Sequence, residues 1–127
     1  MKFLLTCAGT AGHINPAIAV ADRLKRLMPD ARFLFVGSGR TLENQLIPAA
    51  GYPIENITIT GFSRGLSPQK LAANLKTLHN LSVSARQCKR ILTDFKPDIV
   101  IGTGGYVCYP VLKAASQMGI PTVLHES

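Results

Sequence analysis

His13 stands in the segment TCAGTAGHINP, Thr6 to Pro16, directly behind the apolar opening MKFLL. An imidazole exchanges protons near neutral pH and can take one from an attacking alcohol. Around it, Gly9 and Gly12 let the backbone bend sharply and approach another molecule. Asn15 is expected to cap a helix, with Pro16 in its first turn. The segment therefore reads as strand, tight turn and helix start, with His13 at the mouth. Open N–H groups at a helix start receive anions, so a phosphate-bearing ligand is the first expectation.

A second segment repeats the design. IGTGGYVCYP, Ile101 to Pro110, also follows an apolar run and precedes a helix. Both segments hold a Gly-Thr-small-Gly core, an imidazole or aromatic residue and a proline soon after. Two such loops at the carboxyl edge of one parallel sheet would face a single crevice. That suits a diphosphate between bulky groups. The plainer alternative is that the glycines only make tight turns.

Two common nucleotide motifs are absent. Read from Gly9, the dinucleotide fingerprint G-x-G-x-x-G fails at Ala11 and Ile14. The acidic residue expected after the second strand is replaced by FVGSGR, which offers only Arg40, and no G-x-x-x-x-G-K-[ST] occurs. Hydride-transfer and ATPase chemistry are set aside.

The elements that must position these loops alternate along the chain. Lys2–Cys7 is an unbroken apolar run, as expected of a parallel strand covered on both faces. Pro16–Leu27 has helical spacing and closes before Pro29. RFLFVGSGR is a second strand, TLENQLIPAAG a short helix bent by Pro48, and IENITIT a third strand. A long helix is expected from Pro68 to about Phe95, then the strand DIVIG, a helix from about Pro110 to Met118, and a last strand in TVLHES. This rhythm predicts an α/β fold, a Rossmann-like doubly wound parallel sheet, over residues 1–127.

The 127 residues hold 14 Lys+Arg against 7 Asp+Glu, a formal charge of +7. Such an excess favours a polyanionic partner. Nucleic acid is disfavoured because no aromatic residues interleave with the cations. Three scattered cysteines, Cys7, Cys88 and Cys108, suit a reduced, cytoplasmic setting better than a disulfide framework. No run nears the ~18 apolar residues of a membrane span. MKFLLTC is too short in its apolar part for a signal peptide.

GTAGHINPAIAVADRL, FVGSGRTLENQLIPAAGY and GTGGYVCYPVLKAASQMGIPTVLHES, in that order, resemble the MurG family. These bacterial N-acetylglucosaminyltransferases complete lipid II, the membrane-anchored peptidoglycan precursor. One departure is visible: Ala11 stands where the family usually has a second adjacent glycine. The resemblance implies the N-terminal, acceptor-binding half of a two-domain GT-B enzyme. Its donor-binding C-terminal domain would follow Ser127, as would the asparagine completing a motif begun at His125 and Glu126.

The implied reaction is an inverting transfer from UDP-N-acetylglucosamine (UDP-GlcNAc) to lipid I, with no metal or other cofactor. In it His13 is the candidate general base, or else a support donating to a loop carbonyl. Thr10, Ala11 and Gly12 match the loop touching UDP-GlcNAc. Gly104, Gly105 and Tyr106 match the loop holding the acceptor diphosphate. Glu126 either orients a sugar hydroxyl or the His13 loop, or braces its own loop. Two other readings stand beside this one: an acceptor-binding subunit of a two-chain enzyme, and a non-catalytic phosphate-binding module.

In the long helix, Leu71, Leu75, Leu78, Ala85 and Leu92 share a stripe, with Lys76, His79, Arg86 and Arg90 on its flank. This is either an ordinary packed helix with a solvated basic side or a contact with anionic lipid. In the second case Phe62, Leu66 and Leu71 would dip into the inner face of the cell membrane, with peripheral attachment.

Overall fold

A computed structural model describes residues 1–58 and 68–125, and the side chains of 1–58 and 82–125. Among the described residues five strands, β1 (Lys2–Cys7), β2 (Arg32–Gly37), β3 (Ile54–Asn56), β4 (Ile99–Gly104) and β5 (Thr122–Leu124), alternate with four helices. The helices are α1 (Ala11–Leu27), α2 (Thr41–Ala49), α3 (Pro68–Phe95) and α4 (Cys108–Gln117). All pairings are parallel, in the order β3-β2-β1-β4-β5. The chain starts in the middle of the sheet, builds one side, then crosses to the other. The crevice at this reversal lies beyond the carboxyl ends of β1 and β4.

Alternation along β1 explains its unbroken apolar run. Phe3, Leu5 and Cys7 join one core with Ile14, Ala17 and Ala21 of α1 and Ile47 of α2. Leu4 and Ala8 join the opposite core with Cys88, Ile91 and Leu92 of α3 and Val111 and Ala115 of α4. Successive side chains point to opposite faces, and here both faces are covered.

Four boundaries differ from expectation. α1 starts at Ala11, with extended Thr10 (φ −125°, ψ 157°) before it, so Asn15 is not its cap and Pro16 lies inside it. The N–H missing at Pro16 belongs opposite the carbonyl of Gly12, which is exposed, so water can serve it. His13 thus sits in a helical first turn, not in the loop. α4 starts at Cys108, two residues before Pro110. β3 is only three residues long, and β5 ends at Leu124. Among the described side chains of α3 the buried positions are Ser84, Cys88, Ile91 and Leu92, whereas Ala85 is exposed. The expected stripe is therefore off at Ala85: Cys88, Ile91 and Leu92 enter the core shared with α4, and the Ser84 hydroxyl donates to the Thr58 carbonyl on the same side. Phe62 and Leu66, and the side chains of Leu71, Leu75, Lys76, Leu78 and His79, lie outside the described residues.

Tyr52 anchors the α2–β3 connection. Its ring packs on Phe33 and Phe35 at 5.5 and 5.2 Å between centroids, and its hydroxyl donates to Asp22 Oδ1 at 2.6 Å. Burial, then the bond to Asp22 and its charge, push the phenol up to about 12 from an ordinary 10. A raised folded-state value means stability that is full below pH 10 and lost as pH climbs through about 12. Tyr52→Phe is expected to cost about 1 kcal/mol at neutral pH and to flatten that alkaline decline. Urea unfolding of both proteins at pH 7 and pH 11 measures it.

Candidate functional site

The two glycine loops lie side by side at the crevice. Cys7 pairs with Gly104, and the β1–β4 register slips between Thr6 and Cys7 so that Thr103 has no partner on β1. Such a bulge re-aims a side chain. The buried Thr103 hydroxyl donates to the carbonyl of His13 at 2.6 Å, tying β4 to the first turn of α1. The Ala8 N–H donates to the Gly104 carbonyl at 3.2 Å.

Glycine is required where the loops touch. A Cβ on Gly104 (φ +132°) would fall 2.8 Å from His13 Nε2. One on Gly105 (φ +100°) would fall 2.5 Å from the Ala8 carbonyl oxygen. Gly9 (φ +95°) has open space and needs glycine for its backbone angle alone.

His13 is half-buried, and its Nδ1 lies 3.1 Å from the Ala8 carbonyl oxygen. A carbonyl only accepts, so the hydrogen is assigned to Nδ1, leaving Nε2 with a lone pair in the neutral ring. His13 lines two hollows. One, of about 610 Å³, is bounded by Gly104, Gly105, Tyr109, Lys113, Leu124 and His125. The other, about 200 Å³, is bounded by Gly9, Thr10, Ser38, Arg40, Gly105 and Tyr106. A third hollow of about 570 Å³, with Lys2, Arg32 and Phe95 in its wall, lies at the amino-terminal edge of the sheet, away from both glycine loops.

Of the residues singled out from sequence, His13, Thr10, Gly104, Gly105 and Tyr106 meet at this crevice. Ala11 and Gly12 form the exposed start of α1 beside it, with no side-chain cap on their N–H groups. Glu126 lies outside the described residues. The Gly104 N–H is turned inward, donating to Cys108 Sγ at 3.3 Å, which leaves the N–H groups of Gly105 and Tyr106 for a ligand. Burial pushes the Cys108 thiol up, and the thiol in turn lies 3.3 Å from the Thr6 carbonyl. It is a structural bridge, and no cysteine among the described residues is paired in a disulfide.

Glu43 escaped the sequence reading. It is wholly buried in the first turn of α2, accepting from the Gly9 N–H at 2.9 Å, the Ser38 N–H at 2.7 Å and the Ser38 hydroxyl at 3.0 Å. Gly37 has no side chain because a Cβ there would overlap Glu43 Oε2. A signal was present: Glu43 and Ile47 are one turn apart, on the face of α2 that packs inward.

Comparison with known proteins gives the fold and the family. A transferase of Listeria welshimeri is 48% identical over 126 residues, covering 99% of this chain and 34% of the relative. It is named UDP-N-acetylglucosamine--N-acetylmuramyl-(pentapeptide) pyrophosphoryl-undecaprenol N-acetylglucosamine transferase. The chain thus spans about a third of the length of the curated relatives it matches. The crystal structure of Acinetobacter baumannii MurG superposes with a TM-score of 0.79 at 29% identity, over 98% of this chain and 35% of that one. The calicheamicin glycosyltransferase CalG4 shares the fold, with a TM-score of 0.67 at 17% identity over 98% of this chain and 32% of its own. Residues 3–127 match the glycosyltransferase family 28 N-terminal domain, and the chain belongs to that family.

Proposed function

We propose that this chain is the N-terminal, acceptor-binding part of an inverting transferase that moves N-acetylglucosamine from UDP-GlcNAc to undecaprenyl-pyrophosphoryl-MurNAc-pentapeptide. The observation that carries the reading is the meeting of both glycine loops at His13, whose Nδ1 lies 3.1 Å from the Ala8 carbonyl oxygen and whose Nε2 has no hydrogen-bond partner among the described residues. The relatives' names supply the substrates.

In this reading the acceptor diphosphate rests on the N–H groups of Gly105 and Tyr106, beside the N-terminus of α4. The acceptor hydroxyl attacks the anomeric carbon as His13 Nε2 takes its proton. The bond from that carbon to UDP breaks, and the electron pair leaves with UDP. Thr10, Ala11 and Gly12 face the donor, most of which is held by the C-terminal domain of the same full-length protein. Without that domain, the chain is expected to turn over no substrate. Attachment is peripheral, on the cytoplasmic face of the membrane. Among the described residues no helix is long and apolar enough to cross a bilayer. Exposed Arg86, Lys89 and Arg90 on α3 supply cations for anionic headgroups.

The test is titration of the full-length protein with a diphosphate-lipid acceptor analogue, followed through amide shifts, together with transfer of labelled GlcNAc from UDP-GlcNAc. Shifts centred on Gly105 and Tyr106 with transfer are expected. Transfer with no response at either amide relocates the acceptor, and no transfer overturns the reading.

A further inference from the structure

We propose that Glu43 is a positioning residue that sets the orientation and proton placement of His13 through the peptide bond between Ala8 and Gly9. The carboxylate and the imidazole grip opposite ends of one peptide group. Glu43 Oε1 accepts from the Gly9 N–H at 2.9 Å, and the Ala8 carbonyl oxygen lies 3.1 Å from His13 Nδ1. The peptide is trans, so its N–H and C=O point in opposite directions. Holding the N–H toward Glu43 therefore aims the carbonyl at the imidazole. The Gly9 angle of +95° makes that plane accessible.

The arrangement does what a carboxylate bonded directly to a histidine does, with a peptide inserted between them. A negative acceptor on the N–H polarises the amide and strengthens its carbonyl as an acceptor. That favours hydrogen on Nδ1 and keeps the lone pair on Nε2. The carboxylate itself cannot drift. It is wholly buried, and Oε2 accepts from the Ser38 N–H at 2.7 Å. Each oxygen thus accepts from a different backbone N–H, Oε1 from Gly9 and Oε2 from Ser38, which a carboxylate can do and an amide cannot: glutamine at this place offers one acceptor oxygen to two backbone donors. On the far side, Gly105 abuts the same Ala8 carbonyl, leaving the peptide little room to turn.

This inference rests on His13 being the general base, and the experiment separates the two. In the full-length transferase, Glu43→Gln is expected to lower kcat about 10-fold, within the range of couplings between contacting groups, with KM for both substrates changed less than about 3-fold. In a His13→Ala background the same substitution is expected to leave kcat unchanged, since nothing remains for Glu43 to position. An equal loss in both backgrounds overturns the role of Glu43 while leaving His13 as base. A His13→Ala protein with normal kcat removes the base instead. Should Glu43→Gln fail to fold, the wild-type protein still decides. With ¹⁵N-labelled histidine, neutral His13 is expected as the Nδ1–H tautomer, with the Gly9 amide proton shifted downfield by its charged acceptor. An Nε2–H tautomer overturns the proposal.

Discussion

Under the proposed reaction, His13→Ala in the full-length protein is expected to lower kcat by about 10²–10⁴, the usual contribution of a positioned general base. The size follows from geometry. The Nδ1–H is committed to the Ala8 carbonyl, the backbone carbonyl of His13 is bonded by Thr103, and the ring rests against Gly104. An imidazole held at Nδ1 and against Gly104, on a backbone fixed by Thr103, loses little entropy when an acceptor hydroxyl arrives at Nε2. Because the side chain is half-buried and the helix does not depend on it, the substitution should fold. Steady-state kinetics with both substrates varied distinguishes the roles: a loss confined to KM reassigns His13 to binding or loop support.

Gly105→Ala carries the largest expected effect on the fold of the site. A methyl group there meets the Ala8 carbonyl oxygen at 2.5 Å and the Ala8 nitrogen at 3.0 Å, on a backbone at φ +100°. Those neighbours are main chain just past the carboxyl end of the central strand β1, so no side-chain rotation relieves the overlap. Strain at positive φ and overpacking each cost about 1–3 kcal/mol, giving a combined loss of about 2–6 kcal/mol. Gly9→Ala is the control: it bears a similar backbone angle, +95°, with nothing within 4 Å, and should show the strain alone. Thermal melts of the two variants beside wild type measure the difference. Equal shifts for both would mean that the two loops do not press on one another.

The same contacts explain the division of labour among the glycines. Gly102 lets α4 approach β4, since a Cβ there would meet Leu112 at 3.0 Å and Cys108 Sγ at 3.3 Å. Gly104 makes room for the imidazole, and Gly105 for the neighbouring loop. The motif GTGG is thus a record of three separate close approaches, only one of which leaves N–H groups toward a ligand.

Sequence alone determined the alternation of strands and helices, the burial of β1 on both faces and the existence of two matching loops. Each of these follows from local rules: a period of two or 3.6 residues, and glycine or proline where the chain must turn or stop. Helix starts were misplaced at Asn15 and Pro110 because proline signals a helix boundary only weakly when it can also sit a few residues inside. Tertiary structure decided what no local rule reaches. Strand order put β4 against β1, and the slip at Thr103 turned a hydroxyl toward α1. Glu43 was not singled out from the sequence, yet it ties the N–H of Gly9, 34 positions before it, to the loop at Ser38. Its meaning lies in long-range hydrogen bonds, which depend on which strands become neighbours and leave no periodic trace in the chain.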